Sequence, residues 1–475
     1  MLNPELNFTP RQNVLTHEQI ERIHGATLEI LERIGSKVTC QKALDILQQG
    51  GARIDGDRVR IPAWMVEDAL RKAPSRVAMG NRYGKRSMFL DKNSVYFGAA
   101  LDNLDYLDPF SNERIRYTSE HARICASLAD GLHHFSWVFT INLAHDHPPL
   151  IADRISAKQV LTHCTKPYVC CCNDARSIKD IYEMAVLIAG SEENFRQAPT
   201  VGLYVQPVAP LVHGDSVVEK AIFCAEKSIP VIYYSAEMAG GNAPMTLAGL
   251  LAQGGAESLA GLVLTQLVNP GAPFIFGTFT TVIDMMTTIF SYGAPEMSLM
   301  AAAMAEISHY YNLPFFGTAG CSDAKFPDQQ AAAEAAFSCL SSALSRGNLI
   351  HDPGWLDHGS MASPGNLVMV DEILDMTRHY MRGIPVSDET LAVDLIEEVG
   401  PAGEFLSQEH TRQHFRNIWY PKIFDRSTFE TWKEQGEKSF SQRLEEQTQK
   451  AMQHRPDPLD PKLIEELELM SKNWE

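Results

Sequence analysis

The sequence predicts an α/β fold, a (β/α)8 barrel, and three observations carry that prediction. Eight short apolar runs recur from about residue 95 onward, roughly 30–45 residues apart, the spacing of a strand–loop–helix–loop unit. The runs lack strict alternation of apolar and polar residues, as strands buried on both faces do. Amphipathic helical stretches lie between them, so strand and helix alternate about eight times.

The runs are VYFGAA (95–100), FSWVFTIN (135–142), PYVCCCN (167–173), TVGLYVQP (200–207), PVIYYS (230–235), PFIFGTF (273–279), PFFGTAG (314–320) and NLIHDPGW (348–355). The helices that stand out are SEHARICASLADGL (119–132), APEMSLMAAAMAEISHYYN (294–312), with Pro295 near its start, and DQQAAAEAAFSCLSSALSRG (328–347), with Gly347 as its expected C-cap. An open doubly wound sheet is the alternative, but no G-x-G-x-x-G follows the first run.

Residues 1–92 are expected to form a separate helical cap with a hairpin. Thr16 can N-cap a helix reaching about Ile34, a second short helix covers 41–49, and Asp55-Gly56 marks a tight turn between alternating residues. Pro62 is placed at the first position of the next helix. The barrel is assigned to 93–400. A helical extension is expected over 401–475, where Trp419, Tyr420, Phe424 and Trp432 should pack on the barrel or across a subunit interface, so a homo-oligomer is expected.

Composition narrows the function. With a formal net charge of −18 the chain is a poor non-specific binder of nucleic acid. Nine cysteines, three of them consecutive (Cys170, Cys171, Cys172), read as reduced thiols, and no signal peptide is evident, so a cytoplasmic location is expected. The apolar stretch from Leu259 to Phe290 is broken by Asn269-Pro270-Gly271 and Ala272-Pro273, which fits helix, turn and strand better than a membrane span. No P-loop, G-x-S-x-G or H-E-x-x-H is present.

In a barrel the C-terminal strand ends make the site. The runs bring aromatic residues there: Phe97, Trp137, Tyr204, Tyr233, Tyr234, Phe276, Phe279 and then Trp355. Ring faces suit a quaternary ammonium ion, whose diffuse charge makes no hydrogen bonds, although the same rings can simply fill barrel layers. Polar residues at strand ends are Asn142, Asn173, Gln206, Thr278, Thr318, His351 and Asp352, which also serve loop capping. Among them His351 is the candidate catalytic residue. Cys170 and Cys172 share a strand face but lack the further ligands zinc needs, and Cys321 lacks a local base. No metal is expected.

Several segments together resemble the trimethylamine:corrinoid methyltransferase family. They are LTHEQIERIHGATLEILERIG with ARIDGDRVRIP, GTAGCSDAKFPDQQA (317–331), NLIHDPGWLDHG (348–359), and EHT with WYPKIFDR and a further Trp (409–432). The resemblance implies a barrel enzyme that passes a methyl group from an amine to the corrinoid of a separate small protein docking at the barrel mouth. This chain would itself hold no tight cofactor. Founding members contain pyrrolysine; this chain has none, which makes it similar to the branch that uses quaternary amines such as glycine betaine. On that reading Phe97, Tyr204, Tyr234, Phe276 and Trp355 cage the cation, and His351, Asn173 or Gln206 holds a substrate carboxylate. A barrel methyltransferase with a zinc-held thiol or a pterin, and a non-catalytic quaternary-amine binder, remain as alternatives.

Overall fold

The computed structural model describes residues 9–91 and 93–474. All eight apolar runs contain a strand: β1 (Tyr96–Ala100), β2 (Trp137–Thr140), β3 (Tyr168–Cys170), β4 (Val201–Val205), β5 (Val231–Ala239), β6 (Phe274–Val282), β7 (Phe316–Thr318) and β8 (Leu349–His351). Each strand leads to a helix. These are α1 (Ser119–Gly131), α2 (Pro149–His163), α3 (Ala175–Ala189), α4 (Asp215–Lys227), α5 (Leu247–Val268), α6 (Pro295–Tyr310), α7 (Gln329–Leu344) and α8 (Pro364–Tyr380).

The strands run in the order β6-β5-β4-β3-β2-β1-β8-β7, and neighbours are parallel. The ring closes where Phe276 pairs with Phe315 and the Phe276 N–H donates to the Pro314 carbonyl at 2.9 Å. Closure needs close approach at this seam. A Cβ on Gly277 would stand 2.3 Å from the Phe316 carbonyl oxygen, so β6 can meet β7 only with glycine there.

Local signals behave as their chemistry requires. Thr16 closes a capping box with Gln19, and Asp328 accepts from the first-turn N–H groups of α7. Pro295 sits in the first turn of α6, whereas Pro62 is the N-cap of Ala63–Lys72 rather than its first residue. The helix expected to run to Gly347 ends at Leu344. Arg346 takes a left-handed φ of 60° and the Gly347 N–H returns to the Ser342 carbonyl. The apolar stretch resolves into α5, a turn and β6, and α5 is buried along most of its length, between the barrel and N-terminal helices that cover it.

Three additions frame the barrel. The hairpin Val77–Gly80/Arg86–Leu90 lies under the N-terminal strand ends, with the Gly80 N–H donating to the Pro199 carbonyl and Met79 and Met88 fully buried. The first hairpin, Arg53–Asp55 with Arg58–Arg60, joins a sheet with Ser36–Val38 and with Val212–His213 from the loop after β4. At the other end, Asp105–Leu107 and Arg114–Arg116 pair with Trp355–Leu356 and Met361–Ala362, so the loops after β1 and β8 build one small sheet beside the mouth. The barrel's last helix ends at Tyr380. Phe440–Ala451 then packs on α8 and Pro461–Ser471 on α2 and α3, where Lys158 Nζ meets Glu468 at 2.9 Å. All nine cysteines are free thiols.

Gly277→Ala is expected to destabilise the fold by about 1–3 kcal/mol, because the added methyl forces the seam apart. Chemical denaturation reads this directly, and an unshifted midpoint would show that the seam can yield.

Candidate active site

Register decides which rings reach the lumen. Tyr233 pairs with Phe276 and Tyr234 with Gly277 across β5 and β6, and adjacent residues face opposite ways. Tyr234 and Phe279 point inward. Tyr233 points outward against Gly261 of α5, its hydroxyl 2.7 Å from His213 Nδ1, and Phe276 points outward onto Tyr311, ring centres 5.3 Å apart. Phe97 pairs with Ile350, on the face opposite Gly98, where Gly98 meets the Trp137 ring. The structure therefore does not bring Phe97 or Phe276 to the mouth; both fill the layer between barrel and helices.

The residues that do converge are centred on His351. Its ring stacks on Phe316 at 4.3 Å and 17°, and Phe139, Tyr234 and Tyr204 stand edge-on at 5.2, 5.3 and 6.3 Å. Phe139 also meets Trp355 at 5.8 Å and Tyr204 at 5.6 Å. Phe316, Tyr234, Phe139 and His351 are buried and form a floor; Tyr204, Trp355 and Phe279 retain slight exposure above it. A second ring group, Phe279, Phe290 and Tyr292, has centres 5.3–6.0 Å apart. Tyr292 connects the two groups by donating to Asp352 Oδ2 at 3.1 Å.

Polar groups thread this floor. Thr318 Oγ1 lies 3.1 Å from the Tyr234 hydroxyl and 2.9 Å from His351 Nε2, and His351 Nδ1 lies against Asp352 Oδ1. Asp352 holds a φ of 78°, a costly conformation for a non-glycine residue, and strain of this kind concentrates at functional sites. Asp102, fully buried, accepts from Ile141 N–H at 2.7 Å and Leu143 N–H at 3.0 Å; burial pushes its carboxyl up to about 6, against the pull of those N–H groups. The Trp355 indole donates to the Asp102 carbonyl at 2.8 Å, fixing that ring.

Gln206 is exposed at the end of β4, and its Oε1 accepts from the Tyr204 hydroxyl at 3.0 Å, which leaves the amide N–H2 as that side chain's donor. Asn173 is also exposed, but its amide donates to the Pro149 carbonyl and its backbone N–H to Asp153, so it holds the loop after β3. Burial pushes the Cys170, Cys171 and Cys321 thiols well up, away from the thiolate form a nucleophile needs.

Sequence reasoning missed Phe139, Phe316, Phe290, Tyr292, Asp102, Glu237 and Glu257. Phe139 and Phe316 sit inside quoted runs, and strand parity with Trp137 would have flagged Phe139. Glu237 and Glu257 form a buried pair behind β5. Burial, and then each carboxylate's repulsion of its neighbour, pushes Glu237 well above the usual carboxylate range. Glu257 is also raised by burial. Glu237 Oε1 and Glu257 Oε2 lack other partners, and one proton shared between the carboxyls satisfies both. Thr278 donates to Glu237, while Leu211 N–H donates to Glu257 at 2.9 Å, so the pair braces the loop after β4.

The model of the trimethylamine methyltransferase (MTTB) family matches residues 3–472. Trimethylamine methyltransferase MttB of Desulfitobacterium hafniense is 34% identical over 449 residues, 94% of this chain and 90% of that protein. Glycine betaine methyltransferase of Desulfitobacterium hafniense strain Y51 is 29% identical over 431 residues, 89% of each. In three dimensions the chain is similar to the monomethylamine methyltransferase of Methanosarcina barkeri, with a TM-score of 0.53 at 11% identity over 95% of this chain and 89% of that one. The last likeness shows a shared fold. Together with the whole-length matches, the protein is a barrel methyltransferase. The chain belongs to the trimethylamine methyltransferase family.

A carboxyl whose folded pKa is raised contributes stability below its unfolded value and loses it as pH rises through the folded value. The Glu237–Glu257 pair and Asp102 should therefore make stability fall on the alkaline side of the ordinary carboxylate range. Glu257→Gln supplies a permanent donor in place of the shared proton. Melting temperatures from about pH 5 to pH 8 should fall less steeply in this variant than in the parent. Equal slopes would remove the shared proton from the explanation.

Proposed function

We propose that this chain takes a methyl group from a quaternary amine, glycine betaine or a close relative, and passes it to the corrinoid of a separate protein. The observation that carries the reading is the convergence of Tyr204, Phe279, Tyr292 and Trp355 around the mouth, above a floor of Phe139, Tyr234, Phe316 and His351. Ring faces attract a cation by about 0.5–2 kcal/mol each, and more as water is excluded. The identities to the trimethylamine and glycine betaine enzymes, 34% and 29%, do not separate the two substrates, so the residues must.

A quaternary nitrogen needs no proton before it leaves. The C–N bond breaks with its electron pair going to nitrogen, and a neutral tertiary amine departs. The corrinoid supplies the nucleophile that accepts the methyl group. The chain's own task is to hold the cation in line, keep water out and leave the opening clear. The rings do the holding, and Asp352, between His351 and Tyr292, ties the floor to the second ring group. His351 enters as the positioning residue of this floor. Thr318 and Asp352 occupy its two nitrogens, and the Asn173 amide is committed to Pro149. Among the three candidates for a substrate carboxylate, that leaves the Gln206 amide.

Purified protein with chemically reduced cobalamin, offered a panel of betaines and methylamines, tests the reading spectroscopically. Consumption of glycine betaine or a related betaine is expected, and failure of every betaine sinks it. Tyr204→Ala and Trp355→Ala should each raise KM about 2- to 30-fold. Gln206→Leu should raise KM for glycine betaine roughly 10- to 100-fold, the worth of a hydrogen bond to a charged group. It should leave a quaternary amine without a carboxylate, such as choline, nearly unaffected. Equal effects on both substrates would show that Gln206 does not read the carboxylate.

A further inference from the structure

Three consecutive residues of the loop after β8 turn left-handed: Asp357, His358 and Gly359 have φ of 52°, 56° and 71°. Only the glycine takes that conformation freely. A run that includes two residues with a Cβ persists where its surroundings hold it, and such strain gathers at functional sites.

What holds the turn is a chain of alternating charge along the mouth. Asp357 accepts from Arg114, of the loop after β1, at 2.8 Å and from the Ser360 hydroxyl at 2.9 Å. Its other oxygen lies 3.3 Å from Lys325 Nζ, of the loop after β7. Lys325 Nζ also stands 3.2 Å from His358 Nε2, and His358 Nδ1 stands 2.9 Å from Asp323 Oδ1. An ammonium can only donate, so Nε2 accepts, and the ring hydrogen sits on Nδ1, facing the carboxylate. One imidazole thus joins ammonium to carboxylate, a nitrogen for each.

Asp323 is where this chain reaches the rings. Its Oδ1 also accepts from the Tyr292 N–H at 2.8 Å, and its Oδ2 from the Gly293 N–H at 3.0 Å and from the Ser291 hydroxyl. Glu334 of α7 fixes Asp323 in turn, accepting from its N–H at 2.9 Å. One carboxylate therefore sets the backbone that carries Tyr292. The Tyr292 ring rests on the left-handed turn itself, since a Cβ on Gly359 would stand 2.7 Å from it. Its hydroxyl is held by Asp352, and Phe279 meets the ring at 5.3 Å.

We propose that His358 is a positioning residue for the ring cage. It couples the left-handed turn after β8 to Asp323, and the two together set where the Tyr292 ring stands. The proposal rests on the reading of the mouth as a cation cage. His358 acts on that cage through Tyr292, so its loss should loosen the grip on the cation and leave the transfer step to the other rings and the corrinoid.

Hydrogen exchange on the full chain, without substrate, reads the Tyr292 and Gly293 amides that Asp323 holds. His358→Ala should speed their exchange about 10- to 100-fold, the worth of a contact to a charged group. His358→Gln offers one donor and one acceptor and should bring the rates back toward the parent's. With glycine betaine and reduced cobalamin, His358→Ala should raise KM about 2- to 30-fold, one ring's share of the hold, with kcat little changed. The glutamine variant should again restore it. Parental exchange rates in His358→Ala overturn the proposal, as do faster exchange with an unchanged KM and a glutamine that does not rescue. A parent that consumes no betaine sinks the substrate reading instead, and the exchange rates then judge the anchor by themselves. Should His358→Ala not fold, Lys325→Met, at a side chain 56% exposed, takes its place. Exchange at Tyr292 and Gly293 should then quicken about 2- to 10-fold, and parental rates overturn the proposal.

Discussion

The stack of His351 on Phe316 is the contact on which the site depends. A closed parallel barrel has to fill its interior with side chains, and the uppermost filled layer becomes the floor of whatever binds above it. Here that layer is aromatic, with Phe139, Tyr204 and Tyr234 set edge-on around the stacked pair. Edge-on rings present positive edges to neighbouring faces, so each ring holds the next at a fixed angle. A floor built this way is ordered before any ligand arrives, which spares a ligand the cost of ordering it.

The polar groups in this floor are few, and each meets a neighbour. Thr318 links Tyr234 to His351, Asp352 lies between His351 and Tyr292, and Asp102 anchors the loop that follows β2 while its carbonyl holds Trp355. On the outer face of β5, the Glu237–Glu257 pair extends the bracing to the loop after β4. Buried polar groups cost free energy unless paired, so a network of this kind survives only where it fixes something that matters. What it fixes is the angle of the rings and the course of the loops that frame the opening.

Against this economy the segment between Met381 and Trp419 stands out. Other additions return apolar surface to the core: the hairpin under the N-terminal strand ends buries Met79 and Met88, and the final helix buries Leu467. That segment keeps Ile384, Val386, Val393, Ile396 and Leu406 in water.

The residues alone determined the class of this protein. Each of the eight apolar runs contains a strand, because a strand covered on both faces must be apolar throughout and no other common fold repeats that pattern eight times between helices. Tyr204, Tyr234, Trp355 and His351, picked out by their places at strand ends, come together at that end of the barrel. Phe97 and Phe276 lie in runs of the same kind and face the helices instead, because one residue of register reverses a side chain's direction and an unbroken apolar run does not disclose its parity. Tertiary structure alone brought Tyr292 to Asp352 across sixty residues and set Glu257 of a helix against Glu237 of a strand. Such pairings follow from how loops and helices come back over the barrel, and no local pattern encodes the return.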